Sequence, residues 1–256
     1  MKTRIMLNKL AKRFPKRYAK MNHDHVGLMT GKLPEEVHKI LLCLDCDEEL
    51  LPQIKQIKPD LIMTHHPFIY GTRGYVLKHD PYRRALCAEI DALGIPVYSM
   101  HTNFDTGKGG MNDALANALG LKNIRSPEQN IMMRIGELEK PMKVEDFAKF
   151  AKTQFNVDYS LLIAKGKPTI KTVAVIGGGG SRSWTLAQEL GVDIYISGDA
   201  PHYVRRDVVN RNYNYLDMPH EIEKIFIPTM KKLLLEMDPT LEIICIDHEK
   251  LPTVIL

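Results

Sequence analysis

Two adjacent histidines, His65-His66, stand directly after the apolar run Leu61–Thr64 and directly before Pro67. Neutral imidazole is the commonest protein ligand for a metal ion. Successive side chains on extended backbone point to opposite faces, so such a pair can reach two ions or straddle one cluster. On the plainer reading they are two histidines of a surface loop. A second segment, His101-Thr102-Asn103-Phe104-Asp105, follows another apolar run and puts an imidazole and a carboxylate on one short loop, with Asn103 able to orient either. A carboxylate can bridge two cations, which a neutral imidazole cannot. The alternative for Asp105 is capping of the helix that starts beyond Gly109-Gly110, although Lys108 and two glycines intervene. The third segment is His220-Glu221-Ile222-Glu223, after Pro219. Positions i and i+3 of a helix share a face, so His220 and Glu223 can present donors together. The helix dipole favours acids at this end, which accounts for Glu221 but disfavours a cationic His220.

His65, His66, Asp105, His220 and Glu223 make five N/O donors. That set suits a pair of divalent ions of Zn, Fe, Mn or Co per chain better than a Cys-rich structural zinc site or an all-oxygen calcium cage. Three further signals are weaker. Cys43-Leu-Asp-Cys46 has no second pair, and Cys43 falls inside an apolar run, so both thiols read as packing groups. Gly177–Gly180, before Ser181-Arg182-Ser183-Trp184, is either a tight turn or a set of backbone N–H donors for an anion; it lacks the spacing of a P-loop or a dinucleotide fingerprint. Asp199-x-x-His202 is either catalytic or a helix start.

The elements that must position these residues read as alternating strand and helix. Strands are expected at Ile40–Leu44, Leu61–Thr64, Ile95–Met100, Val173–Ile176, Ile194–Ser197 and Ile243–Ile246, all short apolar runs with polar or glycine ends. Helices are expected at Glu48–Gln56, Tyr82–Leu93, Asn112–Leu119, Val144–Phe155, Thr185–Leu190 and Glu221–Leu235. The alternation predicts an α/β chain of two interlinked α/β domains with mainly parallel or mixed sheets. Ligands of such sheets bind beyond the carboxyl ends of strands, where His65, His66, His101 and Asp199 fall, so a metal site at strand ends between the domains is expected. The chain is divided into a core domain of residues 1–125 with 218–256 and a second domain of 126–217. No large insertion fits between Asp105 and His220.

The chain has 256 residues, 44% hydrophobic and 26% charged. That is an ordinary globular balance, with no apolar run long enough for a membrane span. Four cysteines and no resemblance to a secretory signal make a cytoplasmic setting the expectation. The net charge of +4 gives no strong reason to expect nucleic acid. The charge is uneven, however: Met1–Asn22 holds eight Lys/Arg and no acid. This segment reads as an amphipathic first helix with Ile5, Leu7, Leu10, Ala11 and Phe14 inward, or as a basic patch that attracts phosphates.

Thr64-His65-His66-Pro67, His101-Thr102-Asn103-x-Asp105, Ile196-Ser197-Gly198-Asp199 and His220-x-x-Glu223 resemble, in order and spacing, the Nif-three-like dinuclear metal-centre family, homologues of a type II GTP cyclohydrolase I. The resemblance covers nearly the whole chain. It implies His65, His66, Asp105, His220 and Glu223 as the ligands of two metal ions, with His101 beside them as support or alternate ligand. It also implies a toroidal homohexamer. The chain departs from the family pattern at His23-Asp24-His25, where an aromatic-Asp-Asn is usual, at Pro219, where glycine is usual, and at His202, which comes early. The function expected is metal-dependent hydrolysis of a small phosphorylated or heterocyclic molecule, GTP ring-opening being the named candidate, with His101, Asp199 and His202 as general acid or base. The alternative is a non-enzymatic metal-dependent binding, scaffold or metal-handling protein.

Overall fold

A computed structural model describes residues 1–69, 71–249 and 252–253. The strands among them are β1 (Gly27–Thr30), β2 (Lys39–Cys43), β3 (Leu61–Thr64), β4 (Val97–Ser99), β5 (Lys122–Arg125), β6 (Arg134–Lys143), β7 (Leu161–Ala164), β8 (Thr169–Val175), β9 (Ile194–Gly198), β10 (Asn214–Met218) and β11 (Glu242–Cys245). They form two mixed sheets, and the chain is α/β as expected. It divides into two units. The first is Met1–Gly110 with Phe226–His248, and the second is built from Met111–Ile225.

The sheet of the first unit runs β1-β4-β3-β2-β11. Strands β4, β3, β2 and β11 are parallel, and β1 closes one edge antiparallel to β4. Strands β2, β3 and β4 are almost wholly buried, with Ile40, Leu41, Leu42, Leu61, Ile62, Met63 and Val97 at or near zero exposure. Such two-sided burial is why they read as continuous apolar runs. Cys43, Cys46 and Cys87 sit in this core. Burial pushes the Cys46 thiol up to about 12, which leaves it a packing group.

The second unit holds the order β5-β6-β8-β9-β10-β7, in which β8, β9 and β10 are parallel and the flanking strands antiparallel. Its core joins Trp184, Tyr195, Tyr213 and Tyr215 to Ile135, Ala174 and Val204.

Several expectations need correction. The basic first helix is two, Thr3–Arg13 and Lys16–Met21, separated at Pro15, which cannot donate a helical hydrogen bond. Its buried face is Thr3, Met6, Leu7 and Leu10, followed by Phe14, while Ile5 and Ala11 are exposed. Glu48–Gln56 is a 3₁₀ turn, Glu48–Leu50, capped by Asp47, then an α-helix Leu51–Ile57 with a proline in its first turn. The long helix at Glu221–Leu235 is likewise a 3₁₀ segment, His220–Ile225, followed by the α-helix Phe226–Met237. Pro228 explains the change, because proline is tolerated only in the first α-helical turn, so the α-helix starts just before it.

Candidate metal centre

In the first unit three parallel neighbours end at one level. Cys43 pairs with Thr64, and Thr64 with Ser99. The loops that leave these ends carry Asp45, His65-His66 and His101. The ends are tied together: Thr64 Oγ1 lies 2.7 Å from Ser99 Oγ, and Thr64 Oγ1 donates to the His66 carbonyl at 2.7 Å. The backbone N–H groups of His65 and His66 both donate to Leu44 O at 3.1 Å. Register therefore brings three imidazoles into one cluster. Ring centroids of His65 lie 5.0 Å from His66 and 5.1 Å from His101, and those of His66 and His101 are 5.5 Å apart. One nitrogen from each falls within 4.8 Å of the others.

Each ring is oriented through Nδ1. The partner is the Met100 carbonyl for His65 at 2.8 Å, Asp45 for His66 at 2.7 Å and Asp24 for His101 at 2.8 Å. Carbonyls and carboxylates only accept, so Nδ1 donates in all three rings, and in the neutral form of each ring the lone pair lies on Nε2. Imidazoles that ligate metal are held in this way, with the second nitrogen donating to a carboxylate or carbonyl. Burial raises the carboxyls of Asp24 and Asp45, but the hydrogen bonds and charges of His101 and His66 outweigh it and leave both below the usual range. Asp105, on the short helix Thr102–Thr106, places its carboxylate 3.5 Å from His65 Nε2. Phe104 and Phe226 wall the His65 ring at centroid distances of 6.4 and 5.4 Å. Three imidazoles whose neutral forms can present Nε2, with a buried carboxylate beside them, fit a divalent transition ion by donor chemistry.

The second unit gathers its residues in the same way. Parallel neighbours β8, β9 and β10 release the Gly177–Gly180 turn, Asp199 and Pro219-His220. In a 3₁₀ segment residues i and i+3 eclipse, so His220 and Glu223 align: Nε2 stands 3.1 Å from the Glu223 carboxylate. His220 Nδ1 lies 2.5 Å from Asp199. Burial pushes the His220 imidazole down, yet the hydrogen bonds and charges of Asp199 and Glu223 raise it to about 11. The two carboxylates favour the imidazolium form, and a divalent ion held by this ring would have to displace one of its protons.

The glycine turn is packing, not an anion cradle, along most of its length. Gly177 N donates to Asn112 Oδ1 and Gly180 N to the Gly178 carbonyl. Gly178 has φ +55°, and a Cβ there would run into Glu223 and His220. Only glycine lets that carboxylate and ring lie against the turn.

Of the expected residues, His65, His66, His101 and Asp105 meet in the first unit, and Asp199, His220 and Glu223 in the second. His202 is exposed, opens the helix His202–Asn210 and joins neither cluster. Sequence reasoning gave Asp24 and Asp45 no part in orienting the rings, and read Gly178 only as part of a turn or anion site. Asp45 carried the same signal as the histidines, a polar residue ending an apolar strand.

The family description Duf34/NIF3 (NGG1p interacting factor 3) matches residues 1–252. The chain belongs to the Duf34/NIF3 family. It is 32% identical over 241 residues to a GTP cyclohydrolase 1 type 2 homolog of Clostridium perfringens, covering 91% of this chain and 92% of that protein. A protein of the same description from Lactococcus lactis is 30% identical and covers 84% of each. A crystal structure of a Bacillus cereus protein related to NIF3 superposes with a TM-score of 0.87 at 21% identity, over 100% of this chain and 99% of that one, which shows the Duf34/NIF3 fold. Among the described residues no helix is long and apolar enough to cross a membrane.

Proposed function

We propose that this Duf34/NIF3 chain is a metal-dependent hydrolase holding two divalent ions of Zn, Fe, Mn or Co through His65, His66, Asp105, His220 and Glu223. The observation that carries the reading is the trio of imidazoles, each held through Nδ1, with one nitrogen of each within 4.8 Å of the others. Bound ions of this kind lower the pKa of water and polarise a substrate oxygen. The chain's own residues do the rest. Asp45 fixes the tautomer of His66, and the Met100 carbonyl fixes that of His65. His101, held by Asp24, faces the same point and serves as a further ligand or as an acid–base group. Asp199 orients His220 for Glu223. His202, exposed and outside both clusters, has no catalytic role in this reading.

The substrate class is a small phosphorylated or heterocyclic molecule, in keeping with the description of the relatives as GTP cyclohydrolase homologs. We further propose a cytoplasmic homohexamer. The test is metal analysis of protein purified without chelator, followed by a screen of phosphoesters and purine nucleotides with the bound metal present. Uptake approaching two ions per chain and turnover lost in His65→Ala support the hydrolase. Full metal uptake without turnover of any of these substrates indicates a metal-handling protein instead, and uptake near zero removes the site.

A further inference from the structure

The first unit contains a cavity of about 610 Å³ lined by Lys16, Lys20, Asp24, Leu28, Ile69 and Arg73, among others. That size is within the ~300–1,000 Å³ of small-molecule sites. The charges of its walls are not equivalent. Arg73 is engaged by Asp91 at 2.6 Å and by the Met29 carbonyl at 3.2 Å. Asp24 accepts from His101 Nδ1 and from the Thr102 hydroxyl and N–H. The remaining charge is that of two lysines on the helix Lys16–Met21, spaced i and i+4 and so adjacent on one face.

Lys16 is also held in place. Its Nζ lies 5.8 Å from the centre of the Tyr98 ring, and a Cβ on Gly27 (φ +108°) would collide with it. Leu28 and Ile69 offer apolar surface in the same cavity. Two lysines on one helix face, lining a cavity with apolar surface, match a dianion attached to a flat or apolar body. Lysine, a compact point charge, is a common phosphate binder.

We propose that this cavity receives a small phosphomonoester with a heterocyclic body, its phosphate on Lys16 and Lys20. Asp24 then joins the cavity to the imidazole cluster, since the carboxylate lining the cavity is the one that orients His101. The proposal names the substrate class of the hydrolase reading and rests on it for the chemistry, though not for the binding itself.

The experiment is calorimetric titration of the full chain with guanosine and adenosine monophosphates, the corresponding nucleosides and inorganic phosphate, with metal content measured on each sample. A monophosphate is expected to bind at least tenfold more tightly than its nucleoside. The double variant Lys16→Ala/Lys20→Ala is expected to lose at least tenfold, and Lys12→Ala, in the same basic segment but outside the cavity, nothing. Equal binding by the double variant and the parent overturns the proposal, as does absence of binding by both monophosphates. Metal-loaded protein that binds neither monophosphate removes the cavity and leaves the metal centre standing. Monophosphate binding that depends on the two lysines in protein that takes up no metal supports the cavity and removes the centre.

Discussion

Glu223 and Glu221 lie in one 3₁₀ turn, yet only Glu223 packs on Gly178 and meets His220. Glu223→Gln keeps the shape and removes the charge that offsets bound cations, so metal content and the metal-dependent part of the melting temperature should both fall, because an ion that binds only the folded state stabilises it. Glu221→Gln is the control: it should change stability by about 0.3–1 kcal/mol at most and leave metal content alone. Identical metal content and melting curves for the two variants, with and without chelator, would remove Glu223 from the ligand set. Asp45 meets His66 at Nδ1. Asp45→Asn is expected to weaken metal affinity by about 10–100-fold, the usual effect of losing an orienting partner, with competition against a fluorescent chelator as the measurement. Gly178→Ala forces a Cβ at positive φ into Glu223 and His220. It should lower the melting temperature even in chelator, which separates this packing role from ligation.

At the scale of elements, the segment that joins β8 to β9 is anchored by Asp193. Its carboxylate accepts from Lys167 Nζ at 2.6 Å and from the backbone N–H groups of Lys171 and Thr172 at 2.8 and 2.9 Å. Burial raises this carboxyl, but the hydrogen bonds from Lys167, Thr172 and Lys171 outweigh it and hold it below the usual range. A folded-state pKa below the unfolded one means that the contribution is present above about pH 4 and is lost as pH falls through the lowered value. Asp193→Asn should therefore cost about 1–3 kcal/mol at pH 7 and make denaturant midpoints less sensitive to acid; an unchanged acid dependence would show that the carboxylate is not ionised differently in the two states. Such polar anchoring also explains what was hard to read in the sequence. The mostly apolar strands β2, β3 and β9 were legible because both their faces are buried. Strand β10 (NYLDM) is equally buried but carries Asn214, which bridges Gly166, Lys167 and Asp193, and Asp217, which accepts from Ala200 N; internal hydrogen bonds replace the apolar pattern. Strand β6 hides in the same way, its buried Arg134 neutralised by Asp113 at 2.7 Å. The ligand candidates were visible because they fall at strand ends, whereas the groups that orient them, Asp24 above all, come from distant segments whose partners no local spacing reveals.

Across the whole molecule each unit uses one device, three parallel strands in register whose loops carry polar groups to a common level. The alternation of strand and helix along the sequence is the visible trace of that repetition. Assembly belongs to the same scale: sedimentation velocity is expected to give a species of about six chain masses with closed symmetry, and a clean monomer at micromolar concentration would exclude it. The way the first unit is threaded sets the order in which the chain can become complete. Its sheet ends on β11, whose Glu242 pairs with Lys39, and Phe226, which walls His65, arrives equally late. Contacts so far apart in sequence are slow to form, and a chain emerging from the ribosome folds from its leading end. The second unit, most of which is the continuous stretch Met111–Ile225, can therefore condense while the first still lacks an edge strand and one wall of its imidazole cluster. The histidines made earliest wait for residues made more than a hundred positions later before their surroundings are finished, so a metal ion captured by the nascent chain would meet a half-built pocket.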